Sequence, residues 1–193
     1  MRLTIHQFSE LDSTNTTAAV YLNDPATEEG TVIWAYTQTR GRGTHGKTWQ
    51  SPEGNLYFSL ILTPKNSTAE RNTMLSLVAG MGVVTTLKEL FPNLPLSLKW
   101  PNDVLIDGKK VCGILLEQHE EAVIVGIGLN VKYFPKDTDF PATCLENHTQ
   151  TPELPDLLQA LLKGLWQCYV QWQEQGPEPA ETFWQNNKFI LKK

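Results

Sequence analysis

The sequence has few cysteines and no long apolar run, and each of these absences excludes a class of protein. Cys112, Cys144 and Cys168 are too few and too far apart for a disulfide framework or a Cys-x-x-Cys metal site. No apolar stretch approaches the roughly 18 residues of a membrane span. Residues 1–12 lack the apolar core and cleavage site of a signal peptide. We therefore expect a cytoplasmic protein with reduced, mostly buried thiols. The histidines have no ligand-like spacing, so we expect no dedicated metal site.

Positive charge is also scarce. Sixteen Lys and Arg stand against 21 Asp and Glu, a net charge of −5. This excludes a general nucleic-acid binder, which would carry a broad basic surface. The length of 193 residues suits one domain with a sizeable core. Against this acidic background several cations collect in one short segment, and such a local basic loop points to a small anion as its ligand.

That segment is residues 39–49, TRGRGTHGKTW, which holds Arg40, Arg42, Lys47, three glycines and no acidic residue, and ends on Trp49. Glycines let backbone N–H groups approach a ligand, and consecutive N–H groups form an anion nest. Arg42 adds a forked donor suited to a carboxylate or phosphate. The alternative is a mobile polar hairpin loop, but a turn does not need this combination of residues.

The apolar pattern predicts an α+β protein, because the strands cluster in hairpins instead of alternating strictly with helices. The predicted elements are, in chain order, a helix over 13–24, strands over 30–38 and 54–63, a helix from about Ser67 to Pro92, extended structure over 96–100, a hairpin over 104–117 turning at Asp107-Gly108, a buried strand over 120–131 and a helix over 155–172.

Four other clusters carry residues that local structure does not fully explain. Lys-Trp-Pro-Asn-Asp at 99–103 fits a turn equally well. Lys110 precedes Gly113, a strand glycine of the kind that lets a ligand approach, although hairpin lysines commonly only keep an edge soluble. GIGLN at 126–130 lacks the third glycine of a nucleotide fingerprint and opens no helix, but it leaves room for a flat or bulky group. Ser-Thr-Asn at 13–15 is most simply a helix cap.

In this order and at these spacings, the clusters resemble the catalytic domain of biotin–protein ligases. The segments that carry the resemblance are STNT, QTRGRGTHGKTW, KWPNDV, GKKVCGILLE and GIGLNV. The resemblance covers roughly residues 5–172, most of the chain. The resemblance implies an α+β fold with a mixed, mainly antiparallel sheet flanked by helices, like that of class II aminoacyl-tRNA synthetases. It implies an ATP-dependent enzyme that converts biotin to biotinyl-5′-AMP with release of pyrophosphate. Biotin then passes to a lysine of a biotin carboxyl carrier domain on a biotin-dependent carboxylase.

The resemblance also implies roles for individual residues. Lys110 and Arg42 are the implied catalytic residues, close to the biotin carboxylate and the α-phosphate. The implied biotin-binding residues are Ser13, Thr14, Asn15, Gln38, Gly41, Arg42, Gly43, Thr44, Lys110 and Gly113. The implied ATP- or adenylate-binding residues are Arg42, Trp49, Asn102, Lys110 and Asn130. Mg²⁺ would accompany ATP, held mainly by phosphate oxygens and water.

For the domain organisation, the resemblance implies a catalytic domain over 1–175 and a linker, or the start of a further domain, over 176–193. Many family members continue into a small β-barrel-like domain there. No helix-turn-helix precedes residue 1, so we expect no DNA binding, and we expect no membrane partner. Many members pair through a sheet edge, which implies a homodimer. Thr44 and His45 stand where some members have further arginines, which weakens the electrostatic grip at that point.

Two other functions stay open on the sequence alone. Lipoate-type acyl ligases share the fold, although their Arg-Arg-Ser-Gly-Gly-Gly-type loop is not present here. A non-catalytic biotin-binding module is the alternative from another class of protein, and pyrophosphate release separates it from a ligase.

Overall fold

A seven-stranded sheet carries the fold in the computed structural model, which describes residues 2–65, 68, 72–136 and 138–190. The strands are β1 (Thr4–Leu11), β2 (Thr31–Gln38), β3 (Leu56–Leu62), β4 (Leu96–Lys99), β5 (Asp103–Ile106), β6 (Lys109–His119) and β7 (Ala122–Leu129). The helices are α1 (Thr14–Tyr21), α2 (Leu75–Leu90), α3 (Leu154–Gln175) and α4 (Glu178–Asn187).

The sheet order is β1-β2-β3-β7-β6-β5-β4. β1 pairs with β2 in parallel, and the other neighbouring pairs are antiparallel. The predicted mixed, mainly antiparallel sheet is therefore confirmed. The predicted hairpin is also confirmed: its turn has positive φ at Asp107 (48°) and Gly108 (71°), as a tight two-residue turn requires. β1 was not predicted, because it is a largely exposed edge strand without a clear apolar pattern.

The two faces of the sheet bury different sets of residues. The α2 and α3 helices cover one face, over a core that runs from Val32 on β2 to Ile127 on β7. They approach closely at Gly82, where a Cβ atom would lie 2.9 Å from the Cα of Leu165. The short α1 helix covers the other face, where Ala18 packs with isoleucines of β2, β3 and β7.

The prediction for α2 is confirmed for its described part. The apolar stripe lies on a helix that ends at Leu90, two residues before Pro92. The predicted start near Ser67 lies outside the described residues. None of the helices in the described ranges combines the length and the apolar character that crossing a membrane requires. The three cysteines are free and buried, as predicted.

Residues beyond 176 form a helix that packs on the rest of the chain. Ala180 of α4 is buried, and Trp184 makes an edge-to-face contact with Trp100 at 5.8 Å between ring centroids. Beyond α4, the N–H of Phe189 donates to the carbonyl of Leu98 (2.7 Å), next to the β4 edge of the sheet. The described part of 176–193 is thus attached to the sheet, while the domain boundary at residue 175 stays a prediction.

Candidate active site

The predicted clusters meet in one cavity on the α1 side of the sheet, between β6, β7 and the loop of residues 39–49. Its lining residues come from every cluster that the sequence singled out. They are Ser13, Thr14, Asn15, Gln38, Arg42, Gly43, Thr44, Trp49, Asn102, Lys110, Gly113, Ile114, Leu115, Gly126, Ile127 and Gly128. Two predicted residues, Gly41 and Asn130, are not among them.

The polar end of the cavity is built at the start of α1. Ser13 occupies the N-cap position but makes no capping side-chain hydrogen bond, so the helix-cap interpretation of its hydroxyl is wrong; the side chain lines the cavity instead. Thr14 donates from its backbone N–H to Oε1 of Gln38 (2.8 Å). The amide Nε2 of Gln38 donates in turn to Ser51 (2.8 Å). These bonds fix which polar atoms face a ligand.

Asn15 is buried at the same end, and both ends of its amide are engaged. Its Oδ1 accepts from the hydroxyl of Ser59 (2.6 Å), and its Nδ2 donates to Oε2 of Glu117 (2.8 Å). A Cβ atom at Gly126 would overlap Oδ1 of Asn15. The first glycine of GIGLN therefore makes room for Asn15, a purpose that the sequence pattern did not reveal.

The indole of Trp49 lies across the other two strand glycines. A Cβ atom at Gly113 would lie 2.7 Å from the ring, and one at Gly128 would lie 2.5 Å from it. The Nζ of Lys110 stands 5.1 Å from the ring centroid, within cation–π range. The sequence predicted that these glycines leave room for a flat group, and in this structure that group is the protein's own tryptophan.

A buried carboxylate organises the cationic end of the cavity. Asp103 contacts Lys110 through Oδ1 (2.6 Å) and Lys99 through Oδ2 (2.9 Å). Its neighbour Asn102 donates from Nδ2 to the carbonyl of Ile114 (2.8 Å), which ties this turn to β6. In sequence, Asp103 shows only as the last residue of the Lys-Trp-Pro-Asn-Asp cluster, without a role of its own. A carboxylate between two lysines in sequence is the signal that could have revealed it.

The glycine-rich loop folds differently from the predicted anion nest. The N–H of Gly43 donates to the carbonyl of Lys47 (2.7 Å), so it is engaged within the loop. Gly41 is buried against the backbone of Trp49 and does not reach the cavity. The side chain of Arg42 does reach it, and its Nη2 contacts Oε2 of Glu117 at 2.5 Å. The N–H of Gly43 is therefore already paired in this conformation, and the nest role of the Gly41 and Gly43 N–H groups stays a prediction.

Asn130 also lies away from the cavity. It is buried, and its Nδ2 donates to the carbonyl of Thr143 (3.0 Å), while its backbone N–H donates to the carbonyl of Val111 (2.8 Å). Its place near the phosphates and ribose stays a prediction. Glu117 shows the opposite outcome, since it borders the site but was not predicted. It is the last residue of the GKKVCGILLE segment, but its partners Arg42 and Asn15 are distant in sequence, so the motif does not show what Glu117 contacts.

Cys112 lies next to the site on β6 but belongs to the apolar core. Burial raises the pKa of its thiol from 9.0 to about 12, and nearby Lys110 lowers it only in part. A thiol with such a pKa stays protonated at neutral pH and is a poor nucleophile. The site therefore offers amide, hydroxyl, guanidinium and ammonium groups, a set suited to binding anions and a polar ring.

Known proteins share both the sequence pattern and this fold. The model of the biotin/lipoate A/B protein ligase family matches residues 8–132. The bifunctional ligase/repressor BirA of Bacillus subtilis is 34% identical over 187 residues, a match that covers 91% of this chain. The chain spans 57% of the length of that relative.

Two solved structures are similar over nearly the whole chain. Biotin protein ligase from Aquifex aeolicus in complex with biotin and ATP has a TM-score of 0.85 and 34% identity, covering 97% of this chain and 79% of that one. Biotin protein ligase from Leishmania major in complex with biotinyl-5-AMP has a TM-score of 0.86 and 26% identity, covering 100% of this chain and 85% of that one. On the matching family model and these likenesses, the chain belongs to the biotin/lipoate A/B protein ligase family.

Proposed function

We propose that the protein is an ATP-dependent biotin–protein ligase. It joins biotin and ATP to give biotinyl-5′-AMP and pyrophosphate, and it then transfers biotin to a lysine of a biotin carboxyl carrier domain. The observation that carries the proposal is the lining of the cavity, which brings the polar groups of Ser13–Asn15 together with the cationic groups of Arg42 and Lys110. The ligand complexes of the two similar ligases favour this function over other acyl ligations.

The first step brings two anions together. A biotin carboxylate oxygen forms a bond to the α-phosphorus of ATP, and the bond from that phosphorus to the bridging oxygen of pyrophosphate breaks. Arg42 and Lys110 reduce the repulsion between the reactants and stabilise charge that develops on the phosphate oxygens. Asp103 holds the ammonium of Lys110 in place at 2.6 Å. Because Lys99 shares this carboxylate, the cluster of two lysines and one aspartate stays positive overall.

The polar end of the cavity suits the ureido ring of biotin, which has two N–H donors and a carbonyl acceptor. Ser13 and Thr14 offer hydroxyl groups there, and Gln38 offers an amide whose orientation the contacts with Thr14 and Ser51 fix. A site that satisfies each polar atom of a ligand discriminates strongly against analogues without those atoms. These groups thus select the acid, while Arg42 and Lys110 activate it.

We propose that Trp49 moves when the adenylate binds. With the indole across Gly113 and Gly128, the cavity has a volume of about 40 Å³. One water needs roughly 10–15 Å³ on this scale, so this volume holds only a few waters and is too small for an adenylate. The Nε1 of Trp49 is buried without a hydrogen-bond partner among the described residues, a cost that release of the ring removes. We propose that the displaced ring stacks on adenine. The loop over 40–48 then orders over the ligand and keeps water from the labile anhydride. Equal hydrogen exchange of this loop with and without biotin and ATP would contradict the closure.

In the second step the neutral amine of the carrier lysine attacks the biotinyl carbonyl. The bond between that carbonyl carbon and the phosphate oxygen breaks, AMP leaves, and the nitrogen loses a proton as the amide forms. Arg42 and Lys110 stabilise the AMP leaving group through the same phosphate contacts. Mg²⁺ supplies charge neutralisation on the ATP phosphates when it is bound. Among the described residues, no three His, Cys, Asp or Glu side chains lie together as metal ligands. We therefore propose that Mg²⁺ enters as its ATP complex, held by phosphate oxygens and water.

The test combines the protein with biotin, ATP and Mg²⁺ and follows pyrophosphate and bound adenylate, the latter by mass spectrometry. A ligase produces pyrophosphate and retains biotinyl-5′-AMP, and adding a carrier domain yields a biotinylated lysine. Binding of biotin without pyrophosphate identifies the non-catalytic module. Pyrophosphate with lipoate in place of biotin identifies the lipoate-type ligase. We also propose a reducing, cytoplasmic setting, which the three free cysteines support. The homodimer stays a prediction.

A further inference from the structure

Glu117 joins the glycine-rich loop to the floor of the site. Its Oε2 accepts from Nη2 of Arg42 (2.5 Å) and from Nδ2 of Asn15 (2.8 Å). The side chain of Glu117 is 26% exposed, and that of Arg42 is 43% exposed. One carboxylate oxygen therefore serves a loop residue and a residue at the start of α1, which are far apart in the chain.

The contact continues as a hydrogen-bonded chain across the cavity floor. From Asn15 it passes to the hydroxyl of Ser59, which lies 2.6 Å from Oδ1 of Asn15 and 2.8 Å from Oγ1 of Thr14. From Thr14 it passes through Gln38 to Ser51, whose hydroxyl donates to the carbonyl of Trp49 (3.0 Å). The chain thus starts at Arg42 and ends at Trp49, so it connects both sides of the loop through the polar end of the cavity.

We propose that Glu117 is a positioning residue that holds Arg42 over the cavity and fixes the amide of Asn15. This inference rests on the proposed ligase function. A partly exposed arginine on a glycine-rich loop loses side-chain entropy when it is fixed, and a charged acceptor offsets that loss. A guanidinium has five N–H donors, so a contact through Nη2 leaves donors for the ligand anions.

The charge of Glu117 also determines the orientation of Asn15. An ionised carboxylate only accepts hydrogen bonds, so it takes the amide Nδ2 and leaves Oδ1 to the donor hydroxyl of Ser59. A glutamine at position 117 would present a donor as well as an acceptor. The glutamine could still accept a hydrogen bond from Arg42 or Asn15. Because its oxygen is uncharged, each bond would be weaker than the bond to the carboxylate of Glu117.

The test compares Glu117→Gln with Glu121→Gln, which makes the same charge change at an exposed residue of the β6–β7 turn. Two quantities are measured, kcat/KM for biotin in pyrophosphate release and hydrogen exchange of residues 40–48. We expect Glu117→Gln to lower kcat/KM about tenfold, as loss of a hydrogen bond to a partly exposed charge predicts. We expect loop exchange to become faster by a similar factor, while Glu121→Gln changes both by less than twofold.

A double-mutant cycle separates positioning from a general loss of stability. If Glu117 acts through Arg42, its replacement in an Arg42→Gln background costs at least threefold less than in the native background. An equal loss in both backgrounds, or unchanged loop exchange in Glu117→Gln, overturns the proposal. Thermal unfolding of each variant identifies a folding defect. The hydrogen-exchange measurement is repeated on Glu117→Ala, in which no amide replaces the carboxylate.

The two proposals fail in different ways. If the native protein releases no pyrophosphate from biotin and ATP, the ligase function fails, yet faster exchange of residues 40–48 in Glu117→Gln still supports the tie between β6 and the loop. If the native protein is an active ligase and Glu117→Gln matches it in both kcat/KM and loop exchange, the ligase function stands and the role of Glu117 is wrong.

Discussion

The carboxylate of Asp103 lies 2.6 Å from the ammonium of Lys110, and its second oxygen lies 2.9 Å from Lys99. The side chain of Asp103 is only 8% exposed, so one buried anion fixes two cations at the edge of the cavity. Pairing gives Lys110 one position before any ligand arrives. Preorganised charge of this kind stabilises a transition state without reorganisation during the reaction.

Lys110→Ala should reduce adenylate formation by a factor on the order of 10²–10³, because the cavity loses a fixed donor for developing phosphate charge. The fold should tolerate the change, since Asp103 keeps its contact with Lys99. The measurement is the single-turnover rate of pyrophosphate release, with the midpoint of thermal unfolding recorded for each variant.

Lys109→Ala is the matched control for this prediction. Lys109 is the preceding residue on β6 and is exposed, whereas Lys110 lines the cavity. The Lys109→Ala variant should retain the native rate of pyrophosphate release. Normal turnover by Lys110→Ala, or an equal loss in both variants, would remove Lys110 from the site.

Trp49→Ala should raise KM for ATP by roughly tenfold or more, because stacking of a base on an aromatic ring contributes roughly 1–3 kcal/mol. Biotin affinity should not fall by a comparable factor, since the indole fills the space over Gly113 and Gly128 and its loss opens that space. Separate titrations with biotin and with ATP measure the two effects. Trp49→Phe keeps a ring and should lie between the native protein and Trp49→Ala. An unchanged KM for ATP in Trp49→Ala would contradict the stacking role.

Local rules accounted for most elements of the fold and for the residue types of the site. Asp107-Gly108 specifies its own turn, and the apolar runs of β3 and β7 specify buried strands, because these signals lie within a few neighbouring residues. The sequence did not predict β1, because an exposed edge strand buries too few side chains to show an apolar pattern. Burial, rather than backbone preference, is what makes a strand visible in sequence.

Tertiary pairing decided the features that the sequence did not show. Glu117 reaches Arg42 and Asn15 only because β6 lies beside β7 and the loop folds over both. The sequence predicts an adenylate-binding role for Trp49, but it could not show that its ring lies across two strand glycines. A motif therefore identifies which groups a site contains, while the contacts between distant segments determine how those groups are held.

Stability should fall as the pH rises from about 9 to about 12, and Cys112 should account for part of the fall. Burial raises the pKa of its thiol from 9.0 to about 12. Above pH 9 the unfolded chain loses this proton while the folded chain retains it, so ionisation favours unfolding. Denaturant unfolding at several pH values measures the slope for the native protein and for Cys112→Ala. The variant should show a shallower decline, and parallel declines would contradict the assignment to Cys112.

Gly126→Ala should weaken biotin binding by displacing the side chain of Asn15. A Cβ atom at position 126 would overlap Oδ1 of Asn15, so the amide must shift and lose its bonds to Ser59 and Glu117. Overpacking of this kind costs roughly 1–3 kcal/mol. Calorimetric titration with biotin should show a dissociation constant at least tenfold higher, with ATP binding little changed because Trp49 contacts the neighbouring Gly128 instead.

Gly80→Ala is a useful control, because its Cβ would meet only side-chain atoms of the core, nearest Leu98 at 3.1 Å, on the face of the sheet away from α1. If Gly126→Ala binds biotin as tightly as Gly80→Ala does, Asn15 does not contribute to the biotin site, and the polar end of the cavity has to be assigned to other residues.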